Sequence, residues 1–247
     1  MSLSGRKVLV TRQKEQSAEV TRLLKMHGAD VYVVPYIETR RTPAEWPTWE
    51  MFDYVVLTSA NTVRFLRDGN NEIPANIQIL AVGERTAAAV RDWLPNRKIA
   101  VPKRFDGQGI LEWFLALGED TAKLRIMCPQ AKQARAVFVA PLKSLGAQVE
   151  TLEIYSIEMK KHDVLPEKSI TDVLFFSGRT IDAFFASHEI ALEYLNDRNV
   201  AVIGRNTREH AENLGINSVI CPTSPELDLL VEALLDKVVN NCDDNGR

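Results

Sequence analysis

Residues 172–180 read Asp172-Val173-Leu174-Phe175-Phe176-Ser177-Gly178-Arg179-Thr180, and residues 54–62 read Tyr54-Val55-Val56-Leu57-Thr58-Ser59-Ala60-Asn61-Thr62. Both stretches are short apolar runs followed by small and hydroxyl-bearing residues, and they are 118 positions apart. Other pairs follow in the same order, residues 7–10 with 124–127 and residues 79–86 with 200–207. Matched features in one order predict that the chain contains two copies of one unit.

Each copy alternates short apolar runs with segments of helical period. The segment 16–27 places Val20, Leu23 and Leu24 on one stripe, and Gly28 follows as a residue that ends a helix. Short apolar runs that are rich in β-branched residues are typical of strands buried on both faces. The alternation therefore predicts an α/β fold with parallel sheets and right-handed crossovers.

Two charged segments that contain proline, residues 35–49 and 155–168, interrupt the alternation at equivalent points of the repeat. If the chain leaves one sheet through the first segment and returns through the second, the middle of the chain forms one lobe and both ends share the other. The repeat is equally compatible with two consecutive lobes that meet near Glu119. Both arrangements remain open at this point.

Composition excludes several classes of function. Thirty Lys and Arg against thirty-three Asp and Glu give a net charge of −3, so there is no overall basic field for a nucleic acid. The apolar runs are far shorter than a membrane span, and residues 1–7 have no apolar leader region. We therefore expect a cytoplasmic protein with neither a nucleic-acid nor a membrane partner.

Metal and cofactor motifs are also missing from the sequence. Cys128, Cys221 and Cys242 are widely spaced and odd in number, which favours reduced thiols. The four histidines show no metal-ligand spacing, and Gly107-Gln108-Gly109 lacks the third glycine of a dinucleotide fingerprint. We expect no metal and no organic cofactor.

Polar residues that follow the predicted strands are the candidates for ligand binding. In an open parallel sheet, ligands bind beyond the carboxyl ends of the strands, where helix N-termini offer N–H groups to anions. The candidates are Thr11, Arg12, Thr58, Ser59, Gly83, Thr86, Ser177, Gly178, Gly204, Asn206, Thr207, Thr223 and Ser224. Any single Ser or Thr among them could serve only as a helix N-cap. Their occurrence at matched places in both halves favours a bipartite binding cleft.

Seven motifs are spread along the chain: V-L-V-T-R at 8–12, T-S-A-N-T-V at 58–63, A-V-G-E-R-T-A at 81–87, G-A-Q-V-E-T-L-E-I-Y at 146–155, V-L-F-F-S-G at 173–178, A-V-I-G-R-N-T at 201–207 and C-P-T-S-P-E-L at 221–227. Through these motifs the sequence resembles the uroporphyrinogen-III synthase family over nearly its whole length. The resemblance implies two flavodoxin-like lobes joined by a two-stranded linker. Residues 1–36 and 158–247 would form lobe 1 and residues 37–157 lobe 2, with linker strands near 35–40 and 154–158.

The resemblance also implies a reaction. Members of the family close the linear tetrapyrrole hydroxymethylbilane into uroporphyrinogen III with loss of water, and they invert the last pyrrole without a metal or organic cofactor. The family pattern makes Tyr155 the candidate acid, although tyrosine is also common as a strand residue that only packs. The substrate is a small polycarboxylate, and we expect a monomeric enzyme.

The chain departs from the family pattern at four positions. Gln130 and Ala131 stand where Arg-Gly is common, Gln13 where Pro is usual, and Asn206 where Thr is frequent. The first departure removes a partner for a substrate carboxylate. The alternative hypothesis is therefore a catalytically inactive two-lobe paralogue that binds a tetrapyrrole or another anion or has a regulatory role.

Overall fold

Strands and helices alternate along the chain. The computed structural model describes residues 2–244, without the side chains of residues 238–244. In chain order the elements are β1 (Lys7–Val10), α1 (Lys14–Met26), β2 (Asp30–Val33), β3 (Ile37–Arg41), β4 (Tyr54–Leu57), α2 (Ala60–Asp68), β5 (Gln78–Ala81), α3 (Glu84–Trp93), β6 (Ile99–Ala100), α4 (Gly107–Ala116), β7 (Arg125–Ala131), α5 (Val139–Ser144), β8 (Gln148–Met159), β9 (Asp172–Phe175), α6 (Gly178–Ser187), α7 (Ala191–Asn196), β10 (Asn199–Val202), α8 (Arg205–Asn213) and α9 (Leu227–Asp244). The α/β fold that the sequence predicts is confirmed.

The described residues form two compact units. Unit 1 consists of residues 2–38 and 158–244, and unit 2 consists of residues 39–157. The chain passes from one unit to the other within β3 and returns within β8, and these two strands are neighbours in a sheet. The boundary between the units does not fall near Glu119, so unit 1 is discontinuous in sequence.

Unit 1 contains a parallel sheet with the strand order β10-β9-β1-β2, and Ile220 extends it through a parallel bridge to Ala201. Successive residues of a strand point to opposite faces. Leu9 packs on one face with α6, α7 and α8, whereas Val8 and Val10 pack on the other face with α1 and α9. The sheet is covered on both sides, which explains why its strands are apolar throughout.

Unit 2 contains the order β3-β8-β7-β4-β5-β6, with parallel pairing from β8 through β6. Helices α2 and α3 cover one face and α4 and α5 the other. The two sheets can be compared strand by strand. In spatial order, β8, β7, β4 and β5 of unit 2 match β2, β1, β9 and β10 of unit 1, and β6 matches the bridging residue Ile220. In unit 1 this is the 2-1-3-4-5 order of the flavodoxin-like fold, and unit 2 has the same arrangement in space with its chain entering at β4.

Two glycines at matched positions end helices in both units. Gly28 follows α1 with a φ of +90°, and Gly146 follows α5 with a φ of +92°. This left-handed region carries a steric penalty for residues with a Cβ atom. The helix that the sequence predicts over 16–27 is present as α1 and begins two residues earlier.

Candidate functional site

The candidate residues lie at the carboxyl ends of strands in both units. Thr58, Ser59, Gly83 and Thr86 belong to unit 2 and follow β4 and β5, and the other candidates for binding belong to unit 1. In unit 1 they follow β1, β9, β10 and the bridging residue Ile220. Because the strands that the candidates follow are parallel within each sheet, the candidates of one unit share one edge of its sheet.

In unit 1, five of the candidates line one cavity of about 340 Å³. They are Gly204, Asn206, Thr207, Thr223 and Ser224, together with Arg205, Pro222 and Pro225. Helix α8 begins beside this cavity, and its N-cap Gly204 supplies no side chain to bond the first N–H groups. Those N–H groups and the hydroxyl side chains are donors that suit a carboxylate. We name this feature the α8 cavity.

Other candidates in unit 1 serve the fold itself. The Thr11 hydroxyl is buried and donates to the Leu174 carbonyl oxygen over 2.7 Å, which ties the ends of β1 and β9 together. Ser177 Oγ lies 2.8 Å from Thr180 Oγ1 and accepts from the Thr180 N–H, so Ser177 is the N-cap of α6. Arg12 stacks over the Phe176 ring at 5.0 Å from its centroid.

A histidine and an aspartate that sequence reasoning did not select lie beside Gly178. His210 Nε2 is 2.6 Å from Asp182 Oδ1, and both side chains are partly exposed. A Cβ atom at position 178 would lie 3.0 Å from His210 Cδ2, so the imidazole covers the start of α6. His210 and Asp182 are on different helices and 28 residues apart. No local sequence pattern could have paired them.

In unit 2, Thr58 lines a second cavity of about 250 Å³ with eight residues that sequence reasoning did not select. They are Val82, Gly107, Ile110, Gln130, Ala134, Arg135, Ala136 and Phe138. Ser59 instead caps α2, because its Oγ accepts from the Asn61 N–H. Thr86 is buried in the first turn of α3, which begins after Gly83.

Tyr155 lies in β8 within unit 2, and only 3 % of it is exposed. Its ring stacks on Phe65, whose ring also lies under the guanidinium groups of Arg41 and Arg64 at 5.5 and 5.0 Å. Arg41 is held in turn by a bond to the Phe65 carbonyl oxygen, and Arg64 by a bond to Thr39 Oγ1. Two cations are thus fixed beside the aromatic pair.

No group of three or more His, Cys, Asp and Glu side chains that could hold a metal ion occurs among the described residues. Burial raises the pKa of the Cys128 thiol to about 12, so this thiol stays protonated at neutral pH.

Among the helices that the structure describes, none is long and apolar enough to span a bilayer.

These features define a class of protein, one with two α/β units whose polar turns lie at the carboxyl edges of parallel strands. A family model described as uroporphyrinogen-III synthase HemD matches residues 18–232. The chain belongs to the uroporphyrinogen-III synthase family, an enzyme family of tetrapyrrole biosynthesis.

Two proteins that are similar to this chain in sequence carry names from porphyrin biosynthesis. The porphyrin biosynthesis protein HemD of Ruminiclostridium josui is 27 % identical over 95 % of this chain, which spans about half (49 %) of that protein. A putative uroporphyrinogen-III synthase of Methanothermobacter thermautotrophicus is 26 % identical, and the match covers 85 % of this chain and 90 % of that protein.

Solved structures share the fold. The uroporphyrinogen-III synthetase of Helicobacter pylori has a TM-score of 0.67 at 20 % identity, with 94 % of this chain and 99 % of that chain covered. A mutant uroporphyrinogen III synthase of Thermus thermophilus has a TM-score of 0.61 at 15 % identity, with 95 % and 99 % covered. At these identities the likeness is evidence for the fold alone.

Proposed function

We propose that this chain is an active uroporphyrinogen-III synthase that closes hydroxymethylbilane into uroporphyrinogen III. The observation that carries the proposal is the α8 cavity, where hydroxyl side chains and free helix N–H groups meet in a chain of this family. Hydroxymethylbilane carries a row of acetate and propionate carboxylates. Such groups are the anions that helix N-termini and hydroxyl donors bind.

The chemistry requires a proton for the leaving hydroxyl and a folded substrate. Loss of water from the hydroxymethyl group leaves an azafulvene cation, which the substituted α-carbon of the last pyrrole attacks to give the spiro intermediate. The bond from that carbon to its original methylene bridge then breaks, and the released methylene rejoins the ring at its free α-carbon, which loses a proton. We assign the donated proton to the Tyr155 hydroxyl, whose ring is held against Phe65. The proton that a pyrrole carbon loses on final closure can restore the phenol, so one water leaves and no net proton is consumed. Most of the rest of the rate acceleration comes from holding the two ends of the linear tetrapyrrole close together.

The duplication is part of the same proposal. We infer that the two units descend from one ancestral unit, because matched strands occupy matched places in the two sheets. Each copy then offers donor-rich turns of its own to carboxylates. We also propose that the enzyme is monomeric and cytoplasmic. Light scattering tests the first point, and cell fractionation tests the second.

The deciding experiment is an isomer assay. Freshly made hydroxymethylbilane is supplied to the protein, and the type I and type III products are separated after oxidation to porphyrins. The proposal requires type III product. Spontaneous closure gives only type I, so a product mixture that equals the protein-free control would favour the alternative of a binding paralogue without turnover.

A further inference from the structure

The cavity in unit 2 lies where neighbouring strands diverge. Strands β4 and β7 pair only at Tyr54 with Ile126 and at Val55 with Met127, and β7 then continues to Ala131. The helices that follow these strands cover opposite faces of the sheet, α2 one face and α5 the other. This is the topological switch point of a doubly wound sheet, which is the place where such folds bind ligands. We name the feature the switch-point cavity.

Gln130 lines this cavity and is left with an unused acceptor. Its side chain is more than nine-tenths buried, with 8 % of the residue exposed, and its Oε1 has no hydrogen-bond partner. Buried polar atoms in folded proteins nearly always have a partner, because water has been removed from them. Because Gln130 lines the cavity, a rotation of its side chain presents this unpartnered oxygen to a ligand that brings a donor.

Gly107 and Ile110, in the first turn of α4, line another part of the cavity, and the glycines of this turn are closely approached by neighbouring atoms. A Cβ at Gly109 would lie 1.9 Å from the Arg104 carbonyl oxygen, and one at Gly107 would lie 2.3 Å from Val137 Cγ2. The two glycines let helix α4 begin at the cavity. The two glycines therefore have a packing role, which does not depend on the dinucleotide-binding motif that they partly resemble.

Charge at this wall favours an anion. Asp106 caps α4 through the Gly109 N–H and is paired with Arg104, so its charge is balanced. Arg135 also lines the cavity, and within the described residues it has no ion pair. The cation of Arg135 thus lines the same cavity as the neutral Gln130, while the N-terminus of α4 is occupied by its own Asp106 cap.

We propose that the switch-point cavity holds one pyrrole ring of the substrate, with Gln130 Oε1 accepting the pyrrole N–H and Arg135 pairing with a carboxylate of the same ring. A pyrrole nitrogen can only donate, so a donor-only side chain such as Arg could not pair with it, whereas an amide oxygen can. A volume of about 250 Å³ is that of roughly eight waters and suits one substituted ring, not a linear tetrapyrrole. The inference rests on the proposed function for the identity of the ligand.

The test compares the binding of two small probes that differ only at the ring heteroatom. Porphobilinogen is a monopyrrole with one acetate and one propionate, and its furan analogue replaces the N–H with oxygen. Binding to the intact protein is followed by ¹⁵N NMR titration. We expect the wild type to bind the pyrrole roughly fivefold more tightly than the furan, as one neutral hydrogen bond implies. Gln130→Leu should bind both probes equally.

Matched control variants distinguish a specific loss of the pyrrole preference from a loss caused by impaired folding. Gln148→Leu makes the same change at an exposed position and should retain the preference, and Gln130→Met repeats the loss with an unbranched chain if Gln130→Leu fails to fold. Arg135→Gln should weaken both probes by the same factor, whereas the exposed Lys143→Gln should weaken neither. Equal binding of the two probes to the wild type would overturn the proposal, as would a preference that survives in both Gln130 variants.

The outcome is independent of the isomer assay. A protein that gives no type III product but keeps a Gln130-dependent preference for pyrrole would contradict the proposed function and support the subsite. A protein that gives type III product without that preference would support the function and overturn the subsite.

Discussion

The phenol ring of Tyr155 lies nearly flat on the ring of Phe65, with the centroids 4.7 Å apart and the planes 10° from parallel. Stacking of this kind fixes the ring plane and leaves the hydroxyl at the edge. The packing role and the proposed acid role of Tyr155 thus reside in different atoms of one side chain. Substitution can separate them.

We expect Tyr155→Phe to lower kcat by roughly a hundredfold or less and to leave the melting temperature unchanged. The change removes a donor but keeps the stacked ring, and a water can partly replace a lost general acid. Steady-state kinetics and thermal unfolding measure the two effects. Tyr32→Phe, at a more exposed tyrosine of β2, is the control. Wild-type turnover in Tyr155→Phe would assign the residue to packing alone.

Thr207→Ala should raise KM roughly fivefold with little change in kcat. Thr207 lines the α8 cavity, and the loss of one hydroxyl donor to a carboxylate removes about one hydrogen bond. Thr151→Ala, at an exposed position of β8, is the matched control. In the double variant with Tyr155→Phe the two effects should combine without interaction. A fall in kcat alone would contradict the assignment of Thr207 to binding.

Two forked arginine–aspartate pairs should differ in their contribution to stability. In unit 1, Arg6 donates two bonds to Asp172, whose side chain is fully buried, and in unit 2, Arg125 donates two to Asp53, which is 40 % exposed. Arg6→Ala leaves a buried carboxylate without its cation and should cost about 3 kcal/mol. Arg125→Ala should cost less than about 1 kcal/mol, because water screens that pair.

Urea unfolding tests this contrast with two signals. All four tryptophans of the chain, at 46, 49, 93 and 113, belong to unit 2, so their fluorescence follows that unit while circular dichroism follows both. Arg6→Ala should lower the midpoint seen by circular dichroism far more than Arg125→Ala lowers the fluorescence midpoint. Similar losses in the two variants would show that burial does not separate the pairs.

Unit 1 should lose stability as the pH falls below about 6.5, the usual pKa of histidine. Burial lowers the pKa of His188, and the neighbouring His162 lowers it further. His188 Nε2 lies 2.9 Å from the Tyr36 hydroxyl, whose own pKa is raised by burial, so the phenol stays protonated. The unfolded chain then binds more protons than the folded chain between the lowered pKa and 6.5. Stability is full above this window and is lost as the pH falls through it.

The variant His188→Gln keeps a polar partner for Tyr36 and does not titrate. Its unfolding midpoint, followed by circular dichroism from pH 8 to pH 5, should vary less than that of the wild type. His27→Gln is the control and should retain the wild-type slope. A wild-type slope in His188→Gln would assign the pH dependence to other groups.

Type III product should form without added metal and should continue to form with a chelator present. The expectation follows from the absence of a metal-ligand pattern in the sequence. The initial rate is measured before and after dialysis against EDTA, with and without added Mg²⁺ or Zn²⁺. Loss of activity that metal restores would disprove a metal-independent mechanism.

Local patterns were sufficient to predict individual elements and the places of turns. The apolar run at 173–176 predicts a buried strand, and β9 occupies Asp172–Phe175. Gly28 marks the end of α1 because a positive φ is a local requirement that glycine meets at little cost. The roles of the turn residues were harder to predict. Thr11 and Thr207 look alike in sequence, yet one hydroxyl is bonded within the sheet and the other residue lines a cavity.

The sequence by itself determined that this protein is an α/β chain with mostly parallel sheets, because strand and helix periodicities and turn residues are properties of neighbouring positions. Only the tertiary structure decided which residues form the candidate sites. The cavity partners Thr58 and Gln130 are 72 residues apart, as are Arg125 and Asp53, while Arg6 and Asp172 are separated by 166. Burial and the presence or absence of a hydrogen-bond partner depend on such distant neighbours. This is why the unused acceptor of Gln130 became apparent only in the folded chain.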